Sequence, residues 1–167
     1  MNDRDQPTPP YGAPDPSDVE AALSLVAERF GIGQAAFEGL SVVRISRKYL
    51  SIVAADHKLP RRPPAESVGV PFLRTNLRFP KPTTAAVLLL GRHATRNVIS
   101  LTRDQAEAYV RRTGFSVPAD QAVHCTGKGY VIVRHRDLLL GLGFYDGERT
   151  PGVLRSLYPR AWALPLP

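Results

Sequence analysis

The stretch that most constrains this chain is residues 127–147, GKGYVIVRHRDLLLGLGFYDG. Two apolar runs, GYVIVR (129–134) and DLLLGLGFY (137–145), are separated only by His135 and Arg136. Two residues are too few for the crossover that parallel strands need, so the runs pair as an antiparallel hairpin. A hairpin alone is marginal in water, so further strands or a helix must cover its apolar face. The 16 prolines and 13 glycines of the 167 residues argue for many short elements rather than a helix bundle.

The G-x-G at Gly141 and Gly143 raises the possibility of a phosphate-cradling loop. A dinucleotide fingerprint places a third glycine three positions later, where this chain has Asp146, and then opens a helix whose N–H groups hold the pyrophosphate. Here the next residues, Glu148-Arg149-Thr150-Pro151-Gly152, read as a turn, so the nucleotide-loop reading is set aside.

Charge is placed unevenly. The net charge is +7, but residues 1–57 hold 5 basic and 8 acidic residues, whereas 58–112 hold 11 basic against 3 acidic, and 128–167 hold 6 against 3. A basic excess concentrated in the middle and C-terminal parts suits a polyanionic partner. No run approaches the length of apolar sequence that spans a bilayer, and MNDRDQPTPP lacks the features of a signal peptide, so a cytoplasmic protein is expected.

Residues 1–16, with five prolines, read as a flexible tail. Ser17 and Glu20 form an S-x-x-E box opening a helix whose apolar face is Val19, Ala22, Leu23, Val26, Ala27 and Phe30, ended by Gly31 and Gly33. Residues 41–45 and 49–54 suggest a hairpin, 57–67 a basic proline-rich loop, and 68–83 a short strand continuing extended. Lys81, between two prolines, is excluded from a helix or a central strand. AAVLLL (85–90) reads as a continuous, buried strand. Thr102 and Gln105 form a second capping box, with a hydrophobic staple at Leu101 and Ala106, and the helix closes at Arg111, Arg112 and Gly114. The fold class expected is α+β: an N-terminal α/β unit, 17–95, then a compact β unit, 96–167.

This order of elements resembles a PUA domain, a small pseudo-barrel that binds RNA, with the likeness running through RNVISLTRDQAEAYVRR (96–112) and 127–147. The tail GVLRSLYPRAW (152–162) resembles the C-terminal RNA-binding region of the Nop/Sun family of RNA 5-methylcytosine methyltransferases, in which Arg155, Pro159 and Arg160 match family positions. RFGIGQAAFEGLSVVRISRKYLSIVA and KPTTAAVLLLGRHATRN resemble the pre-PUA segment of those proteins, and the layout is similar to that of a two-domain pre-PUA/PUA ribosome-biogenesis factor. One departure is Leu139, where the family has proline two residues before the first glycine; the other is that no methyltransferase domain accompanies the likeness.

Catalysis is not expected. Cytosine-C5 methylation needs a thiolate and a methyl-donor loop. Cys125, the single cysteine, sits in VHCTGKG, without the Pro-Cys context of those enzymes. His57, His93, His124 and His135 have no metal-binding spacing, so neither metal nor cofactor is expected. His124 and Cys125, read as neighbours on a strand, point to opposite faces.

The resemblance implies an RNA groove with Gly141 and Gly143 on its strand side and Tyr109, Arg111 and Arg112 on its helix side; a β-bulge or barrel corner would equally require these glycines. Candidate phosphate contacts are Arg74, Arg78, Lys81, Arg92, Arg96, Lys128, Arg155 and Arg160, with Tyr158 a candidate stacking platform and Trp162 either a second platform or a pin for the terminus. Two classes stay open: an RNA-binding protein of rRNA or tRNA maturation or ribosome biogenesis, and a protein-interaction adaptor or non-catalytic targeting subunit of a separate RNA methyltransferase.

Overall fold

A computed structural model of the chain describes residues 14–46, 48–58, 67–77 and 80–163. Three helices, α1 (Pro16–Phe30), α2 (Thr84–Leu90) and α3 (Arg103–Val110), pack on two sheets. The first sheet is an antiparallel meander of β1 (Leu40–Ser46), β2 (Tyr49–Ala54), β3 (Val70–Arg74) and the two-residue edge strand β4 (Lys81–Pro82). The second, curled sheet contains β5 (Val98–Ser100), β6 (Phe115–Val117), β7 (Gly129–His135), β8 (Leu138–Asp146) and β9 (Gly152–Ser156), in the order β5-β7-β8-β9-β6. Among the described strands only β5 and β7 run parallel.

The β7–β8 hairpin forms as its sequence requires, with its turn at Arg136 and Asp137, one residue later than expected, because Arg136 takes the left-handed conformation (φ 52°) that a tight turn needs. Period-two alternation divides its side chains. Val131 and Val133 enter one core with Ile99, Tyr109, Val117 and Leu154, whereas Ile132 and Leu142 enter the other with Phe30, Leu50, Phe72 and Leu90. The second core joins the first sheet, α1 and α2 to the outer face of the curled sheet, across the expected boundary at residue 95.

Three local expectations are corrected. The run 85–90 is a helix, not a strand: Thr83 caps it, accepting from the Ala86 amide at 3.0 Å. Ala86, Val87 and Leu90 are buried while Leu88 and Leu89 are exposed, so the run has one apolar face and not two. In α1 the cap is Asp15, whose Oδ1 accepts from the Ser17 amide at 2.9 Å, and Pro16 fills the first helical position; Gly31 closes the helix in the left-handed conformation, as expected. The Thr102–Gln105 capping box is present, but α3 ends at Val110, before Gly114, because Arg112 itself turns left-handed (φ 63°).

Candidate nucleic-acid interface

β3 and β4 bring two cations face to face: Arg74 and Lys81 are directly opposed in the ladder, an arrangement that repels and so disfavours pairing. Arg112 reaches the same place from the end of α3, its Nη1 donating to the Tyr158 carbonyl. The Lys81 amine lies below its ordinary pKa, first because it is partly buried and then because Arg74 and Arg112 repel its charge. Among the described residues no carboxylate pairs with any of the three. Arg74 is steadied by neutral partners, donating from Nε to Asn76 Oδ1 at 2.9 Å with its guanidinium carbon 6.0 Å from the centre of the Tyr49 ring.

Beside the cations runs an aromatic ladder from core to solvent. Tyr109 is fully buried and its hydroxyl donates to the Leu142 carbonyl at 2.8 Å; burial pushes its ionisation well up. Tyr158 meets it edge to face at 5.6 Å, and Trp162 meets Tyr158 in the same way at 6.1 Å. Trp162 is 52 % exposed. Uncompensated cations next to an exposed indole can hold a phosphate and the face of an unstacked base together.

The structure therefore joins Arg74, Lys81, Arg112 and Tyr158 into one surface. Arg160 is exposed in the short 3-10 turn that carries Trp162, and Arg111 is half-buried at the C-cap of α3. Other candidates have their contacts elsewhere. Arg92 donates to the ring of His93 and Arg96 lies at the end of α1, close to Gly31. Lys128 pairs with Asp146 at 3.1 Å and Glu148 at 3.6 Å, and Arg155 covers the Phe144 ring at 4.9 Å. Arg78 lies outside the described residues.

The glycines do not line an open groove. A Cβ on Gly143 would stand 2.7 Å from Leu154 Cδ1 and 3.1 Å from Val133 Cγ2, so this space belongs to the core. Gly141 (φ 139°) sits where the register slips, with Leu140 left unpaired, and a Cβ there would meet the Tyr109 hydroxyl at 3.0 Å and Thr84 at 3.2 Å. The bulge reading accounts for Gly141, and close packing for Gly143.

His124 and Cys125 fall in a turn after a short 3-10 helix, not on a strand as expected; His124 is exposed, Cys125 is half-buried, and burial pushes the thiol upward, away from the thiolate a nucleophile needs. Among the described residues no group of histidine, cysteine and carboxylate side chains is arranged to hold a metal ion.

No curated protein matches the chain. Residues 96–164 match the family model described as the methyltransferase RsmF PUA domain, and they contain α3, all but the first elements of the aromatic-cationic surface, and the whole curled sheet. The C-terminal part of this chain is thus a PUA domain, a non-catalytic and generally RNA-binding module, of the kind found in an RNA methyltransferase family.

Proposed function

We propose that the chain is a non-catalytic RNA-binding protein that acts in the cytoplasm on rRNA or tRNA during maturation, modification or ribosome assembly. The observation that carries this reading is the cationic group Arg74, Lys81 and Arg112, drawn from both parts of the chain, without a carboxylate partner among the described residues. Like charges brought this close lower stability, and a phosphate between them turns that repulsion into attraction. Tyr158 and Trp162 stand beside them to receive a base.

Affinity for a structured RNA, measured by fluorescence anisotropy over a range of salt, tests the reading. Binding falls steeply with salt, and Arg112→Glu weakens it at least tenfold and flattens the slope of log affinity against log salt by about one phosphate contact. Absence of RNA binding at low salt overturns the proposal and leaves the protein-adaptor reading.

A further inference from the structure

β4 has two faces. Lys81 opposes Arg74, while Pro80 and Pro82, on either side of it, line a cavity of about 410 Å³ between α1 and the outer face of the curled sheet. That volume lies within the range of small-molecule sites. One wall is aromatic for a reason visible in the register: Tyr130 pairs with Phe144, which pairs with Arg155, so the three form a row across β7, β8 and β9 on one face. The Tyr130 and Phe144 rings meet edge to face at 5.6 Å, and the Arg155 guanidinium covers Phe144.

The opposite wall comes from α1, through Leu25 and Arg29. Among the described residues Arg29 is held only by neutral acceptors: its Nε donates to the Tyr130 carbonyl at 2.8 Å and its Nη1 to the Thr126 carbonyl at 2.7 Å and the Thr126 hydroxyl at 3.1 Å. Its Nη2 is covered and has no acceptor among the described residues, and burial lowers its pKa. Asn97 fixes this arrangement, its side-chain amide donating to the Arg29 carbonyl and its Oδ1 accepting from the Thr126 amide at 2.8 Å. Gly129 admits the guanidinium, since a Cβ there would lie 3.0 Å from Arg29 Cζ and Nη2. Lys128 stands at the cavity wall beside it.

An aliphatic ligand would leave the Arg29 charge unanswered, and a bare anion would leave the rings and prolines unused. A flat heteroaromatic ring bearing polar edges and attached to a phosphate uses both. We infer that this cavity takes an unstacked nucleobase, with its ring against Tyr130 and Phe144 and its polar edge and phosphate towards Arg29, supplied by an RNA chain or by a free nucleotide. The inference stands on this cavity and not on the cationic group across β4.

The test follows the Gly129 amide and Arg29 Nε resonances of the full chain by NMR during titration with adenosine monophosphate, uridine monophosphate, ribose phosphate and a short single-stranded RNA. Nucleotides or RNA shift both resonances saturably, ribose phosphate leaves them in place, and Leu25→Phe, which fills the cavity, weakens the response at least tenfold. Response to RNA alone assigns the base to an RNA chain; response to nucleotides without RNA binding supports the cavity while removing the proposed function. The inference is overturned if ribose phosphate moves the two resonances equally, if neither nucleotides nor RNA moves them and RNA does not bind, or if neither moves them although RNA binds. In that last case the proposed function survives. Because the wild-type response decides the matter, a failure of Leu25→Phe to fold does not rescue it.

Discussion

Lys81 and Lys128 each lie between two backbone-shaping residues, prolines for the first and glycines for the second, yet opposite charges decide their states. Lys81 faces Arg74 and Arg112, and its amine is pushed to lower pKa by burial and by their repulsion. Lys128 faces Asp146 and Glu148, and the hydrogen bond to Asp146, with its charge, pushes the amine up. Lys128 is part of a charge network that the protein completes itself, joined by Arg149 at 3.5 Å from Asp146. The group around Lys81 is completed by nothing among the described residues, which is the electrostatic difference between a solubilising surface and a surface waiting for an anion.

Charge reversal at the two positions gives the largest contrast. Lys81→Glu places a carboxylate between two arginines, so it raises stability, by about 0.2–1 kcal/mol on the scale of partly exposed ion pairs, while lowering RNA affinity at least tenfold. Lys128→Glu breaks the hairpin network, so it lowers the unfolding midpoint slightly and leaves RNA affinity within twofold. Urea denaturation and anisotropy on the same preparations check both. A Lys81→Glu protein that loses stability and RNA binding together would mean that a damaged fold, not a lost phosphate contact, explains the binding defect.

Gly143→Ala separates fold from charge in a second way. Its added methyl meets Leu154 and Val133 in a core where neither can withdraw, and overpacking of this kind destabilises by about 1–3 kcal/mol. Neither lysine is touched, so the folded fraction keeps the wild-type salt dependence of RNA binding. A lost salt slope in a folded Gly143→Ala protein would return the glycine to the RNA surface.

The features legible in the sequence were those settled by near neighbours. The Thr102–Gln105 box, Gly31 as a helix stop and the β7–β8 pairing each depend on residues within a few positions. The run 85–90 misled because six apolar residues have no period of their own; Thr83 as cap and the exposure of Leu88 and Leu89 decide for a helix. The cationic group was legible only as separate residues. Arg74, Lys81 and Arg112 are each candidates in the sequence, but their meeting depends on the β3–β4 register and on the left-handed turn of Arg112, two residues before the Gly114 that the sequence offers as the stop. Arg29 gave no signal as a site residue, since in sequence it is one basic residue in the last turn of a helix, the ordinary place for one.

Trp162→Ala asks whether the aromatic ladder belongs to the Lys81 surface. The indole is 52 % exposed and touches Tyr158 at its edge, so its removal changes stability little. Base stacking contributes about 1–3 kcal/mol, and for a half-exposed platform the low end corresponds to a several-fold loss of affinity for single-stranded RNA, with the salt slope unchanged. A change in slope without a change in intercept would assign Trp162 to positioning the cations instead.

The smallest effects lie in the pH dependence of stability, where the two lysines differ in sign. The folded Lys81 amine titrates below its ordinary 10.5, so between its folded pKa and 10.5 the unfolded chain binds more protons and stability rises with pH. Lys81→Met removes that rise: the variant is more stable than wild type at neutral pH, and the gap closes as pH approaches 10.5. The folded Lys128 amine titrates above 10.5, so its contribution is present below 10.5 and lost as pH climbs through the folded pKa. Lys128→Met is therefore less stable than wild type at neutral pH, and this gap closes only beyond 10.5. Urea midpoints of the three proteins, measured from neutral pH into that alkaline range, give two difference curves of opposite sign, and subtraction from wild type removes the tyrosines and other lysines they share. Two curves of the same sign would erase the distinction between an anion-seeking group and a self-completed network on which the RNA surface is built.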